Sequence, residues 1–166
     1  MSDGELNPIP NQTLTMTLLM TPDKANFTGN VHGGQMLKML DEVAYACASR
    51  YSARYVVTLS VDNVVFKEPI HVGELVTFLA SINYTGKTSM EVGIKVVTEN
   101  PVEGTCRHAM TCYFTMVALD ADRRPTPVPP WVPQTSKERQ RYKAAQLRRD
   151  LRREIARRHD EIRQEC

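Results

Sequence analysis

The sequence predicts an α+β protein in which one long helix packs on a curved antiparallel sheet. Three observations predict it. From Gln35 to Cys47, apolar residues recur at three- and four-residue spacing, the signature of an amphipathic helix. From Tyr55 to Leu119, segments rich in β-branched residues alternate in part and are separated by turn residues. Two of those segments are joined through the short T-G-K-T connection, which demands an antiparallel hairpin. One helix followed by a run of antiparallel strands buries both apolar faces when the helix lies on one side of the sheet.

Taken in order, Leu14–Met20 is a short apolar strand. The helix follows, with Met36, Leu37, Leu40, Val43, Ala44 and Cys47 on its inner face and Lys38 and Glu42 on its polar side. Strands are expected over Tyr55–Phe66, Leu75–Tyr84, Met90–Thr98 and Thr105–Leu119. In Met90–Thr98 the residues Met90, Val92, Ile94 and Val96 face one way, and Glu91, Gly93 and Lys95 the other. The stretches E-P-I-H-V-G-E, T-G-K-T and E-N-P-V-E-G mark the turns.

Beyond Asp120 the composition changes. Pro125, Pro127, Pro129, Pro130 and Pro133 make a stiff link. A charged helix is expected from Ser136, which reads as its N-cap, with Arg139 rather than the Glu of a capping box three residues on. Lys137–Cys166 holds eleven Lys/Arg against six Asp/Glu, a balance of +5, whereas the whole chain is +2 and residues 1–136 therefore carry −3. The basic charge is localised in the tail, with Leu147, Leu151, Ile155 and Ile162 as a thin apolar stripe through it. Such a tail fits a solvated helix docked lightly on its domain, a phosphate-binding arm or an oligomer contact. Nucleic acid is not an expected partner, because the tail offers one Tyr and no set of rings for stacking. The organisation is thus an N-terminal arm (1–12), a main domain (13–122), a proline-rich link (123–135) and a basic helical tail (136–166).

Several classes are excluded. No run of about eighteen apolar residues exists, so no membrane span is expected. The N-terminus carries Asp3 and Glu5 and lacks a basic-then-apolar signal. Cys47, Cys106, Cys112 and Cys166 form no C-x-x-C pair, which suits a reducing cytoplasm better than a disulfide framework. Cys106, His108 and Cys112 lack a second ligand pair, so no metal site is expected.

The segment Gly29–Tyr45 carries the chemistry. Asp41 lies four residues after Leu37 and three before Ala44, bordering the apolar face where a carboxylate is costly without a partner or a role. It also reads as a half-exposed boundary residue in a salt bridge. Gly33 and Gly34 open the helix, where N–H groups lack internal partners and the dipole favours negative charge. They suit a carbonyl oxygen that becomes an oxyanion, or simply a tight turn. Asn30 adds an amide able to orient water or a carbonyl.

G-N-V-H-G-G-Q-M-L-K-M-L-D-E, then V-V-T-L-S-V-D-N-V-V-F-K-E-P-I-H-V-G-E, then G-K-T-S-M-E-V, in that order, resemble the hotdog-fold acyl-CoA thioesterases of the cytosolic acyl-CoA hydrolase type. The resemblance spans about Thr13 to Leu119, and R-Y-K-A-A-Q resembles the helical extension of some members. It implies a hotdog fold, a homodimer commonly assembled as a trimer of dimers, and hydrolysis of acyl-CoA to a fatty acid and coenzyme A. The active site would lie between subunits. An Asn before the H-G-G and an acidic helix residue would form the catalytic pair from opposite subunits, here Asn30 and Asp41, with Gly33 and Gly34 polarising the carbonyl. Leu59, Ser60 and Val61 match a strand beside the pantetheine arm, and Thr88, Ser89 and Met90 the hairpin that meets the cofactor moiety. Arg139 or Arg141 matches a basic side chain near the nucleotide phosphates. Coenzyme A would be part of substrate and product, with no separate cofactor.

Asp41 would act as general base on water or attack directly to give an anhydride. Two other classes compete. One is a dehydratase acting on a thioester-linked acyl chain, with His32 and Asp41 as its proton-transfer pair. The other is a non-catalytic acyl-CoA-binding module. Met36, Leu40 and Tyr45 are candidates for the wall of an acyl tunnel.

Overall fold

A computed structural model describes residues 12–164. Nearly all of the expected N-terminal arm, with Asp3 and Glu5, lies outside those residues, as does Cys166. The elements are β1 (Thr13–Leu19), a single 3-10 turn (Pro22–Lys24), α1 (Gly33–Ser52), β2 (Tyr55–Val61), β3 (Leu75–Thr85), β4 (Ser89–Asn100), β5 (Thr105–Leu119) and α2 (Ser136–Gln164). The strands form one sheet in the order β1-β3-β4-β5-β2, every neighbouring pair antiparallel.

α1 lies on one face of this sheet. Met36, Met39, Leu40, Val43, Ala44, Cys47 and Ala48 share a single buried cluster with Phe78, Ile94, Met110, Phe114 and Met116 from the strands. The helix period puts Met39 in that stripe, whereas Leu37, expected inside, is exposed. The register shifts at Leu59, Asn83 and Ala109, each an extra residue with no partner on the neighbouring strand. Bulges of this kind bend and twist a sheet, which lets it wrap a helix.

β2 is shorter than its composition suggests. The strand expected over Tyr55–Phe66 ends at Val61, and only the Asp62 N–H continues the ladder, to the Tyr113 carbonyl at 2.9 Å. The following residues turn back to α1, where the Phe66 ring lies 3.6 Å from the point at which a Cβ would sit on Gly33.

α2 covers part of the opposite face. Its N-cap is Thr135, not Ser136. The Glu138 N–H donates to Thr135 Oγ1 (3.2 Å) while Glu138 Oε2 accepts the Thr135 N–H (2.9 Å), a reciprocal capping box one residue earlier than expected. Glu91, on the face read as polar, is buried at 3% exposure beneath α2. There Arg148 Nη2 reaches Glu91 Oε1 at 2.6 Å and stacks over the Tyr113 ring at 3.5 Å. The apolar stripe Leu147, Leu151, Ile155 and Ile162 points to solvent. The proline-rich link packs back on the domain: Val128 is buried, and Pro129 accepts a hydrogen bond from Tyr51 Oη (3.1 Å) at the end of α1. No helix among the described residues is long and apolar enough to cross a membrane.

Candidate active site

The start of α1 gathers one set of candidate residues. His32 is the N-cap. Its Nδ1 accepts the Gly34 N–H (2.9 Å), and its carbonyl accepts the N–H groups of Gln35 and Met36 (2.9 and 3.2 Å). Gly33 is left with the first-turn N–H that has no partner among the described residues, at the positive end of the helix dipole.

Two asparagines stand beside it, and they differ in how free they are. Asn30 is engaged at both ends of its amide: Oδ1 meets His71 Nδ1 at 2.9 Å, and Nδ2 donates to Thr28 Oγ1 at 3.3 Å. Asn26 Oδ1 accepts from the Thr28 N–H (2.9 Å), Thr28 Oγ1 (2.7 Å) and the Asn30 N–H (3.2 Å). The carbonyl end of Asn26 is therefore fixed, and its NH₂ has no partner among the described residues. Asn26, Asn30, Gly33, Met36 and Phe66 line one cavity of about 310 Å³.

A buried ion pair anchors the loop beneath. Glu74 Oε2 accepts the His71 N–H at 2.9 Å, and Arg107 grips the same carboxylate with Nη1 at 2.6 Å and Nη2 at 3.0 Å. Burial pushes the Glu74 carboxyl up, but the Arg107 hydrogen bonds and charge, with the His71 N–H, outweigh it and hold the pKa below the ordinary value. Glu74 thus fixes His71, and His71 fixes Asn30.

Asp41 lies elsewhere. It is exposed in the single chain and makes no salt bridge among the described residues, unlike the boundary residue expected. Its partner is Thr58 of β2, whose Oγ1 donates to Asp41 Oδ1 at 2.5 Å. The bulge at Leu59 separates the roles of neighbouring positions: Thr58 turns to α1, while Ser60 pairs with Thr115 on the side facing α2. Asp41, Tyr45, Tyr55 and Thr58 line a separate open cavity of about 400 Å³. No hydrogen bond joins Asp41 to Asn26, Asn30 or Gly33 among the described residues.

The remaining candidates fall into further groups. Leu59, Ser60, Ser89 and Met90 line a third cavity, together with Arg149, Arg152 and Arg153 of α2. Arg139 and Arg141 are not among its walls. Arg139 Nη1 donates to the Gln134 carbonyl (2.7 Å), and Arg141 Nη1 to Ser81 Oγ (3.4 Å). Val61 and Thr88 border none of the three cavities. Burial pushes the thiols of Cys47 and Cys112 up to about 12, which removes them as nucleophiles at neutral pH. No group of three or more His, Cys, Asp or Glu among the described residues is placed to hold a metal ion.

The Thioesterase superfamily model matches residues 28–105. Protein VdlD of Helicobacter pylori is 52% identical over 150 residues, covering 90% of this chain and 86% of VdlD. A Bacillus subtilis protein described as "Uncharacterized acyl-CoA thioester hydrolase YkhA" is 36% identical over 117 residues, covering 70% and 68%. Among solved structures, an apo-hexameric acyl-CoA thioesterase superposes with a TM-score of 0.85 at 34% identity, covering 90% of this chain and 96% of that one. An acyl-CoA hydrolase from Staphylococcus aureus, solved with butyryl coenzyme A and coenzyme A, gives a TM-score of 0.80 at 29% identity, covering 90% and 93%. That enzyme was also solved with an Asn, an Asp or a Thr replaced by Ala. The replaced Asn stands 15 residues before the Asp, and the Thr 17 after it. In this chain Asn26 and Thr58 stand at those two spacings from Asp41, whereas Asn30 is eleven residues before it. Neither Asn26 nor Thr58 was singled out by the sequence; spacing from Asp41 is the signal that finds them. Fold, family model and relatives agree, and the chain belongs to the thioesterase superfamily as a hotdog-fold acyl-CoA thioester hydrolase.

Proposed function

We propose that the protein hydrolyses acyl-CoA to a free fatty acid and coenzyme A at a site built by two protomers. The observation that carries this reading is the separation of the catalytic parts. Asp41 and Thr58 line one cavity, while Asn26 and Gly33 line another. A partner would bring the second set to the first. β2 is an edge strand with Tyr55, Leu59 and Val61 exposed, a surface suited to edge-to-edge pairing. The apo-hexameric relative supports a further step to a trimer of dimers.

In this scheme Thr58 holds Asp41 Oδ1, and Oδ2 takes a proton from water as the water oxygen adds to the thioester carbon. The oxyanion is met by the partner's Gly33 N–H at its helix terminus and by the NH₂ of the partner's Asn26. Collapse breaks the carbon–sulfur bond, and the leaving thiolate recovers the proton from Asp41. Spacing and the free NH₂ favour Asn26 over Asn30 as the catalytic amide, with Asn30 holding its loop. His32 is committed to capping α1, which speaks against its use as a dehydratase base. The chemistry needs no separate cofactor, and the scattered thiols fit a cytoplasmic setting.

The test is thiol release from a chain-length series of acyl-CoAs by the wild type and Asp41→Asn. Release by the wild type and its loss in a folded variant support the reading. No release from any acyl-CoA, with binding retained, would convert it to a binding module.

A further inference from the structure

The loop before α1 carries a fixed aromatic knob. Ala25 and Val31 pair as an isolated bridge, and the chain turns back between them with the Gly29 N–H on the Asn26 carbonyl at 3.0 Å. Gly29 takes φ +81°, in the left-handed region that favours glycine. Asn26 Oδ1 holds the Thr28 N–H, the Thr28 hydroxyl and the Asn30 N–H, so the turn is braced from inside. Phe27 stands at its tip, fully exposed. A Phe ring buries on the order of 150–250 Å² when it is covered. A braced turn that holds such a ring in water is preorganised for a surface that covers it.

The neighbour of Phe27 points to that surface. On the hydrolase reading above, on which this inference rests, Asn26 meets the substrate carbonyl at the partner's Asp41. Successive Cα atoms lie about 3.8 Å apart, so Phe27 enters the partner's site with Asn26. In that site Tyr45 follows Asp41 by one turn of α1, and its ring meets Tyr55 edge to face with centroids 6.2 Å apart. Both rings are partly exposed and wall the open Asp41 cavity with Val57 and Thr58. A third ring from outside closes such a wall.

We propose that Phe27 of one protomer closes the partner's Asp41 cavity over the acyl chain and limits the acyl length it accepts. The chain runs between Phe27 and the partner's Tyr45 and Tyr55. A saturated chain offers only apolar surface for recognition, so the place of the ring decides how many methylenes are covered.

Phe27→Ala and Phe27→Trp test it. Phe27 adds nothing to the core of its own chain, so both variants keep the fold. kcat/KM is measured across acyl-CoAs of increasing chain length. Phe27→Ala should raise the ratio of long-chain to short-chain kcat/KM by about tenfold or more, the discrimination that a methylene or two carries in an apolar pocket, and Phe27→Trp should lower it. A role confined to holding the dimer together would scale every substrate alike. A profile of unchanged shape in both variants overturns the proposal.

Mixing shows which chain supplies the ring. Asp41→Asn and Asn26→Ala chains, dissociated and reassociated together, leave one complete site, which takes Asn26 and Phe27 from the Asp41→Asn chain. Phe27→Ala added to that chain should carry the altered profile into the restored activity; added to the Asn26→Ala chain, it should leave the wild-type profile. The reverse result overturns the proposal. Failure of the two-protomer reading shows separately, as no restored activity in the mixture without a Phe27 change, and it overturns the placement of Phe27 in the partner's site as well. Failure of the hydrolase reading shows as no thiol release by the wild type. Calorimetry with non-hydrolysable thioether analogues of the same lengths then decides: a shifted length preference in the Phe27 variants supports the proposal, and an unshifted one overturns it.

Discussion

Thr58 Oγ1 donates to Asp41 Oδ1 across 2.5 Å, tying an edge strand to the middle of α1. A carboxylate on an exposed helix face would otherwise sample several rotamers. This bond selects one and leaves Oδ2 open to the cavity. Its position just before the bulge at Leu59 makes the contact a property of the strand's irregularity. Thr58→Val keeps the shape and removes the donor. We expect kcat to fall by about tenfold, in line with the ~1.5–3 kcal/mol of a hydrogen bond to a charged group. Asp41→Asn should lower kcat by at least about 10²-fold, since it removes the proposed base. Steady-state kinetics on both variants check the order, and equal effects would contradict it.

The two asparagines separate in the same assay. Asn26→Ala removes an NH₂ without a partner among the described residues, on a side chain lining the cavity, and should lower kcat by about 10²-fold if it is the proposed oxyanion donor. Asn30→Ala breaks its bonds to His71 and Thr28 but leaves its backbone clamp on Asn26 in place, with the Asn26 N–H on the Asn30 carbonyl at 2.7 Å. A loss of less than about tenfold is expected from a positioning residue whose neutral hydrogen bonds are each worth about 1 kcal/mol. A larger loss in Asn30→Ala than in Asn26→Ala would reverse the assignment.

Glu74 and Arg107 bear on stability. Arg107→Met strands a carboxylate that is only 4% exposed and should destabilise the fold by about 3 kcal/mol at neutral pH. The sign with pH follows from the depressed Glu74 pKa. Its stabilisation is fully present above the ordinary value of 4.5 and is lost as pH falls through the lower folded value. Denaturant unfolding from pH 7 to pH 3 should therefore show the wild type losing its advantage over Arg107→Met below about 4.5. A difference constant across that range would contradict the assignment.

Much of this architecture is legible from local pattern. The period of α1, the T-G-K-T hairpin and the bounds of β5 follow from side-chain spacing and turn residues, because each is decided within a few positions. What escapes depends on contacts between distant segments. The end of β2 at Val61 depends on Phe66 returning to Gly33. Glu91 looks solvated in its strand and is buried only because Arg148, 57 residues later, closes over it. Asp41 stands out in the sequence from its place beside an apolar face. Its hydroxyl partner was not, since the pairing of Asp41 with Thr58 depends on how β2 lies along α1. The choice between Asn26 and Asn30 depends on which amide the loop leaves free.

The proposed active site takes Asp41 from one protomer and Asn26 from its partner. Mixing the inactive variants Asp41→Asn and Asn26→Ala, after dissociation and reassociation, tests it directly. Random two-fold pairing would restore about a quarter of wild-type activity, because half of the dimers then carry one intact site. Thiol release at that level is the predicted result. A mixture no more active than the two variants alone, with mixed oligomers demonstrated, would contradict the account and place both residues in one chain's site.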